Sequence, residues 1–106
     1  MRVEHVVVLV TAASVEEATR LADRLVEEKL AACVNVVKEV ASTYWWQGRV
    51  ERAGEALLLI KTRRDRVEAL TQRVRDLHSY TVPEVVVLPI LEGNPPYLQW
   101  IDSSVG

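Results

Sequence analysis

The chain has 106 residues, of which 49% are hydrophobic and 26% are charged, as in an ordinary globular domain. These proportions exclude a disordered or low-complexity chain, and we interpret residues 1–106 as a single domain. The formal net charge of −2 comes from interspersed acidic and basic residues. Because no basic stripe is available to neutralise a phosphate backbone, nucleic acid is not expected as a partner.

The first apolar run, residues 6–10, has the β-branched composition of a strand buried on both faces in the middle of a sheet. It superficially resembles a signal peptide, but it is shorter than a normal apolar core and a helix start follows at Ser14. We therefore predict a buried strand and no membrane span. A single cysteine, Cys33, cannot form an internal disulfide, so we expect a cytoplasmic protein.

Ser14 and Glu17 have the spacing of a capping box, in which each residue binds the backbone amide of the other. Apolar residues then recur at helical spacing as far as Leu30. The pattern predicts a helix with one side packed on a sheet.

A long hairpin is predicted next, with extended chain from residue 32 to residue 47 and a turn at Gly48. Sixteen extended residues reach roughly 50 Å, whereas the radius of gyration of such a domain is only ~13 Å. Even with a break near residues 38–39, the tip is expected to project beyond the core. It carries Tyr44, Trp45 and Trp46, which a monomer would leave exposed.

The second half of the sequence contains a further helix, strand and helix. Asp65 and Glu68 predict the start of the second helix, which ends near His78. Residues 85–88 are interpreted as a buried strand, and Asn94 is expected to cap a short C-terminal helix with proline in its first turn.

The resulting order, β-α-β-β-α-β plus a short helix, predicts an α+β ferredoxin-like sandwich with both crossover helices on one face of an antiparallel sheet. In a monomer, the other sheet face and the aromatic hairpin tip would remain exposed to solvent. We therefore predict a closed homo-oligomer.

Five sequence blocks occur in order along nearly the whole chain. They are residues 30–36 (LAACVNV), 42–48 (STYWWQG), 59–62 (LIKT), 78–84 (HSYTVPE) and 97–101 (YLQWI). Together they resemble the CutA divalent-cation-tolerance family. The resemblance implies a PII-like homotrimer and a link to tolerance of divalent metals, chiefly copper. The family usually has proline at the position of Ser79, so a looser exit from the second helix is expected here.

Two residues are candidate ligands for copper or another divalent cation. The Cys33 thiolate suits copper(I), and the His78 imidazole suits copper(II) or zinc. The alternative is that Cys33 is a small buried hydrophobic residue and that His78 caps the second helix. One thiol and two histidines are too few for a complete site in one chain, so a trimer would have to supply several copies of each ligand.

The resemblance also suggests a ligand cleft between subunits. Lys61 near Glu84 would suit an anionic or zwitterionic small molecule, with aromatic side chains forming the walls. The same residues could instead form a salt bridge within an aromatic interface. The candidate cleft residues are Asn35, Tyr44, Trp46, Lys61, Tyr80 and Glu84.

The sequence lacks a glycine-rich phosphate loop, a nucleophile elbow, a His-Glu-x-x-His helix and a Cys-x-x-Cys pair. We therefore expect a protein that is not an enzyme. Three functions remain open: a metal-response protein, a PII-like signalling module that binds a small ligand or a protein partner, and a structural trimer without direct metal binding.

Overall fold

The computed structural model describes residues 3–106, so the first two residues of the predicted domain 1–106 lie outside the described part. Within this part, strands and helices follow one another in the order predicted from the sequence. The elements are β1 (His5–Ala12), α1 (Val15–Glu27), β2 (Cys33–Trp46), β3 (Arg49–Arg63), α2 (Val67–Leu77), β4 (Val86–Pro89) and α3 (Pro95–Ser104).

The four strands form one sheet in the order β2-β3-β1-β4, and every neighbouring pair is antiparallel. This is the strand order that two split crossover connections produce, because each helix links strands that are not neighbours in the sheet. The ferredoxin-like α+β fold is therefore confirmed. Its two edges are β2 and β4.

The core lies between the sheet and helices α1 and α2. Alternate residues of β1 are at most 2% exposed, while the residues between them are only partly buried. The predicted burial of β1 is thus confirmed for one face only. The helices contribute to this core mainly through Leu21, Leu25, Leu70 and Val74.

The hairpin of β2 and β3 projects beyond the rest of the sheet, as predicted. β1 accompanies β3 only along residues 56–63, so residues 49–55 pair with β2 alone. The described residues accordingly span 44 × 29 × 22 Å. Trp45 and Trp46 at the tip are 75% and 57% exposed.

The local geometry of the hairpin agrees with the sequence pattern. A register shift between Val37 and Val40 marks the expected break. At the turn, Gln47 has a φ of 51° and Gly48 a φ of 79°. Two consecutive left-handed residues match the right-handed twist of the flanking strands, and glycine adopts this conformation without steric cost.

Three helix ends differ from the predictions. α1 stops at Glu27, and Leu30 is buried by a following turn in which Lys29 is left-handed, with a φ of 59°. A 3-10 turn, Arg64–Arg66, precedes α2, so the predicted cap by Asp65 is wrong. Asp65 instead accepts a hydrogen bond from Arg63 Nε at 3.0 Å. Asn94 precedes α3 as expected, but its side chain makes no capping bond.

The prediction of a buried strand at residues 85–88 is wrong in one respect. The strand exists as β4, one residue later than predicted, and all four of its residues are exposed in the described chain. Of the predicted run, Val85 alone is partly buried against the core. A run of β-branched residues indicates a strand but does not reveal what covers it. None of the helices in residues 3–106 has the length and apolar character needed to span a bilayer.

Candidate functional site

Three predicted site residues meet on the sheet face that points away from α1 and α2. The strand register places Cys33 directly opposite Lys61, and Lys61 alternates with buried neighbours along β3. The Cys33 thiol lies 3.8 Å from Asn35 Oδ1, and the same oxygen accepts a hydrogen bond from Lys61 Nζ. We call Cys33, Asn35 and Lys61 the outer-face group.

Helix α3 adds a fourth side chain to this region, Tyr97. Burial raises the pKa of the Tyr97 hydroxyl, and the nearby Cys33 thiol adds to this shift. The Tyr97 ring packs on Trp100 with a centroid distance of 5.4 Å. The sequence indicated a packing role for Tyr97 through its spacing from Trp100 but gave no signal that Cys33 lies nearby.

His78 lies in a different environment, at the end of α2. Its fully buried ring accepts a hydrogen bond from the Tyr80 N–H at Nδ1 (3.0 Å), and Nε2 donates to the Thr11 carbonyl at 2.7 Å. This arrangement requires the neutral tautomer protonated at Nε2, which has no free nitrogen for a metal. The His78 backbone also ends α2 by donating to Val74. The geometry thus favours the helix-end interpretation.

Glu17 is the centre of a hydrogen-bonded cluster beside His78. Its carboxylate accepts bonds from the Ala13 N–H (3.2 Å), the Ser79 N–H (2.7 Å) and the Ser79 hydroxyl (2.9 Å). Only half of the predicted capping box forms, because Ser14 Oγ accepts the Glu17 N–H while the carboxylate turns to Ala13. We call Glu17, Ser79 and His78 the Glu17 cluster.

The electrostatics of the Glu17 cluster favour a charged carboxylate. Burial raises the pKa of Glu17, but the hydrogen bonds from Ser79 and Ala13 outweigh burial, and the net pKa is lowered. Ser79 supplies an N–H that a proline would lack. The helix exit, which the sequence suggested would be looser, is therefore tied to α1.

Tyr80 contacts β3 at the base of the hairpin extension. The Tyr80 hydroxyl donates to Glu55 Oε2 at 2.8 Å. Burial and the Glu55 carboxylate raise the pKa of Tyr80 to about 12, with a smaller contribution from Tyr44. Trp46 lies farther out, at the exposed hairpin tip.

Lys61 and Glu84 are separated within one subunit. Lys61 is opposite Val7, which is opposite Leu88 on β4. Glu84 precedes β4, about 13 Å of extended chain from Leu88, and is exposed. A pairing of Lys61 with Glu84 would therefore need two copies of the chain.

A complete metal site is also not formed by one subunit. Among residues 3–106, no three His, Cys, Asp or Glu side chains are grouped so that they could hold an ion. Cys33 is level with Val7 on β1, whereas His78 binds Thr11, about 13 Å farther along the same strand. The two predicted metal ligands are thus not brought together.

The fold and these contacts define a class of protein before any comparison. The chain is a ferredoxin-like α+β domain with an open sheet face, on which a thiol, an amide and an ammonium group meet. In the single chain, its hairpin tip and its two edge strands are exposed.

Comparison with known families gives the identity at the level of the family. Residues 6–104 match the family described as CutA1 divalent ion tolerance protein. The chain belongs to this family, and the resemblance seen in the five sequence blocks is confirmed.

Individual relatives agree with this assignment. The chain is 52% identical over 100 residues to the divalent-cation tolerance protein CutA of Thermus thermophilus, covering 94% of this chain and 97% of that protein. It is 49% identical over 102 residues to the chloroplastic protein CutA 1 of rice, covering 96% of this chain but only 58% of the rice protein. The chain thus spans little more than half of the plant relative.

Solved structures show the same fold. The crystal structure of CutA1 from Oryza sativa has a TM-score of 0.95 at 48% identity and covers 98% of this chain and 95% of that one. The CutA structure from Archaeoglobus fulgidus has a TM-score of 0.94 at 42% identity, with coverage of 96% and 99%.

Proposed function

We propose that the chain acts as a cytoplasmic homotrimer in the response to and tolerance of divalent metal ions, and that it is not an enzyme. The observation that carries the proposal is the apolar surface left open on a single copy of a CutA1 family chain. Family membership supports the link to divalent metals. The exposed apolar surface supports assembly into a homo-oligomer.

The open surface consists of large apolar side chains at the hairpin tip and on β4. These side chains form two separate patches, and exposed apolar patches of this kind favour burial against another subunit. The members that are at least 39% exposed are Tyr44, Trp45, Trp46, Val50, Val86, Val87 and Leu88.

The position of this surface favours a ring. β2 and β4 occupy opposite edges of the sheet, and each edge presents unpaired backbone groups. Two different patches on one subunit allow a head-to-tail contact, which closes into a ring when the rotation between subunits permits. A trimer is the ring that the family resemblance implies.

Metal binding, as proposed, depends on Cys33 rather than His78. The Cys33 side chain is only partly buried and lies on the open sheet face, whereas both His78 nitrogens are engaged. A thiolate is a soft ligand suited to copper(I). Because one subunit lacks a complete ligand set among residues 3–106, the site would combine ligands from several copies.

Calorimetric titration with copper(I) under reducing conditions tests this role. We expect saturable binding of copper(I) at a fixed ratio per trimer, with an affinity weaker by roughly tenfold or more in Cys33→Ala. Loss of a residue that only hydrogen-bonds a metal ligand already weakens metal binding by about that factor, and loss of the ligand itself should weaken it at least as much. His78→Gln, once shown to be folded, should leave the affinity unchanged. Absence of saturable binding, or binding that Cys33→Ala does not weaken, would contradict the proposal.

A second candidate function, binding of a small anion, is favoured by the position of Lys61. Its ammonium group donates a hydrogen bond to Asn35 on the open sheet face. Such an arrangement suits an anionic group. Titration with inorganic phosphate distinguishes this function, because binding that is lost in Lys61→Gln and retained in Cys33→Ala would favour it over the metal role.

A further inference from the structure

The hairpin of β2 and β3 has an outer part that no other strand supports. β1 pairs with β3 only as far as Ala56, so residues 40–46 and 49–55 pair solely with each other. Among residues 3–106, the buried hydrophobic clusters and the side chains packed against them include no member of residues 40–55. We call residues 40–55 the hairpin extension. A two-stranded ribbon of this kind is only marginally stable by itself.

The inner end of the hairpin extension has the features of a hinge. The register shift between Val37 and Val40 lies opposite residues 55–57, at the level where the pairing of β1 with β3 ends. Such a shift bends the strand that carries it. From residue 55 to the turn at Gly48 the chain extends about 23 Å, so a tilt of roughly 20° at the hinge would move the aromatic tip by about 8 Å.

One hydrogen bond joins this hinge to the rest of the domain. The Tyr80 hydroxyl donates to Glu55 Oε2 at 2.8 Å, and Glu55 is the first residue of β3 beyond the pairing with β1. Within residues 3–106, no other side-chain hydrogen bond or ion pair links the hairpin extension to the remaining chain. The pKa of Tyr80 is raised to about 12, so its hydroxyl stays protonated and can donate at neutral pH.

Tyr80 is itself held by contacts with the core. Its N–H donates to His78 Nδ1 at 3.0 Å, and the two rings lie 4.7 Å apart. His78 is anchored to the Thr11 carbonyl of β1, and Ser79 is anchored to the Glu17 carboxylate of α1. A continuous series of contacts therefore runs from β1 and α1 through this segment to the hairpin extension.

We propose that Tyr80 is a positioning residue whose hydroxyl sets the direction of the hairpin extension and so presents the aromatic tip to a second copy of the chain. The inference rests on the proposed homotrimer, because assembly is what the positioning serves. A subunit that already holds its contact surface in the bound geometry loses less conformational freedom on association. Without the Tyr80 bond, each hairpin extension would have to be ordered during assembly.

Distance measurement between two spin labels tests the positioning directly. The labels are attached at Arg49→Cys on the hairpin extension and Glu68→Cys on α2, which are both exposed sites, in a Cys33→Ala background that lacks the sole native cysteine. Refolding with an excess of unlabelled chain ensures that each measured pair lies within one subunit. We expect a narrow distance distribution, which Tyr80→Phe should broaden by several ångströms.

Tyr97→Phe is the matched control, since it removes the same hydroxyl from α3 and should leave the distribution narrow. Substitutions at Glu55 separate the hydrogen bond from the packing of the Tyr80 ring. Glu55→Gln keeps an oxygen acceptor and should keep the distribution narrow, whereas Glu55→Ala should broaden it as Tyr80→Phe does. Because both changes remove one bond, the double variant should show no further broadening. An unchanged distribution in Tyr80→Phe, or additive broadening in the double variant, would overturn the proposal.

Sedimentation of Tyr80→Phe over a dilution series measures the consequence for assembly. We expect the trimer dissociation constant to rise by roughly tenfold or more, because three hairpin extensions must then be ordered on association. A broadened distance distribution with an unchanged dissociation constant would overturn the role of Tyr80 in assembly. A monomeric unaltered protein would instead contradict the proposed homotrimer, and the distance distributions would still decide whether Tyr80 directs the hairpin extension.

Discussion

Leu88→Lys is expected to convert the proposed homotrimer into folded monomers. Leu88 lies on the exposed edge strand β4, with 44% of its surface accessible in the single chain. In the proposed trimer a neighbouring subunit covers this strand, so the substitution buries an unpaired charge at each of three equivalent interfaces. Together these charges should make trimer assembly less favourable by several kcal/mol. Sedimentation velocity at micromolar concentration measures the change.

Val26→Lys is the matched control for this variant. Val26 is 42% exposed but lies on α1, on the helical side of the molecule. The same charge should have no effect on assembly there. Circular dichroism should show that both variants retain their secondary structure. A Leu88→Lys protein that sediments like the unaltered one would place β4 outside the interface.

Glu17→Ala is expected to lower the free energy of unfolding by about 3 kcal/mol, because three donors lose their acceptor in a partly buried site. These donors are the Ala13 N–H, the Ser79 N–H and the Ser79 hydroxyl. Urea unfolding at one fixed protein concentration measures the loss, since the stability of an oligomer depends on concentration. Glu16→Ala, an exposed neighbour in the same helical turn, should change stability little.

The Glu17 cluster also predicts a dependence on pH. The pKa of Glu17 is lowered in the folded state, so its contribution is complete above its unfolded value of about 4.5 and is lost as the pH falls through the folded value. Glu17→Gln cannot titrate at this position and should show a weaker loss of stability over that acidic range. Parallel acid-unfolding profiles for Glu17→Gln and the unaltered protein would contradict this assignment.

Much of the fold could be predicted from the sequence because its signals are local. The helical spacing of α1, the strand composition of β1 and the glycine of the hairpin turn each depend on residues close together in the chain. The projection of the hairpin followed from its length alone. Together these signals determine the order of elements, which leaves few possible topologies.

The errors arose where distant residues decide the outcome. Ser79 bonds to Glu17 across 62 positions, so no local pattern reveals that the end of α2 is tied to α1. The 3-10 turn before α2 moved the helix start past Asp65, a shift of the size that sequence patterns rarely resolve. The exposure of β4 depends on which distant parts of the chain pack against it, and the composition of the strand does not reveal this.

Part of the candidate site was predicted from the sequence, and the contacts between residues distant in the chain were not. Asn35 and Lys61 were named from the family resemblance, and the strand register brings them together with Cys33. His78, also named, turned out to have both nitrogens engaged by backbone groups. The effect of the nearby Cys33 on the pKa of Tyr97 links α3 with β2 and could not be predicted from the spacing of aromatic residues.

Sedimentation equilibrium of the unaltered protein at micromolar concentration is the most direct test of the proposed homotrimer, in which further copies of the chain cover the apolar hairpin tip and β4. We predict a single species with three times the 12.0 kDa mass of the chain, unchanged on moderate dilution. A stable species of 12.0 kDa at that concentration would contradict the account, since it would show that the open surface is tolerated by a monomer.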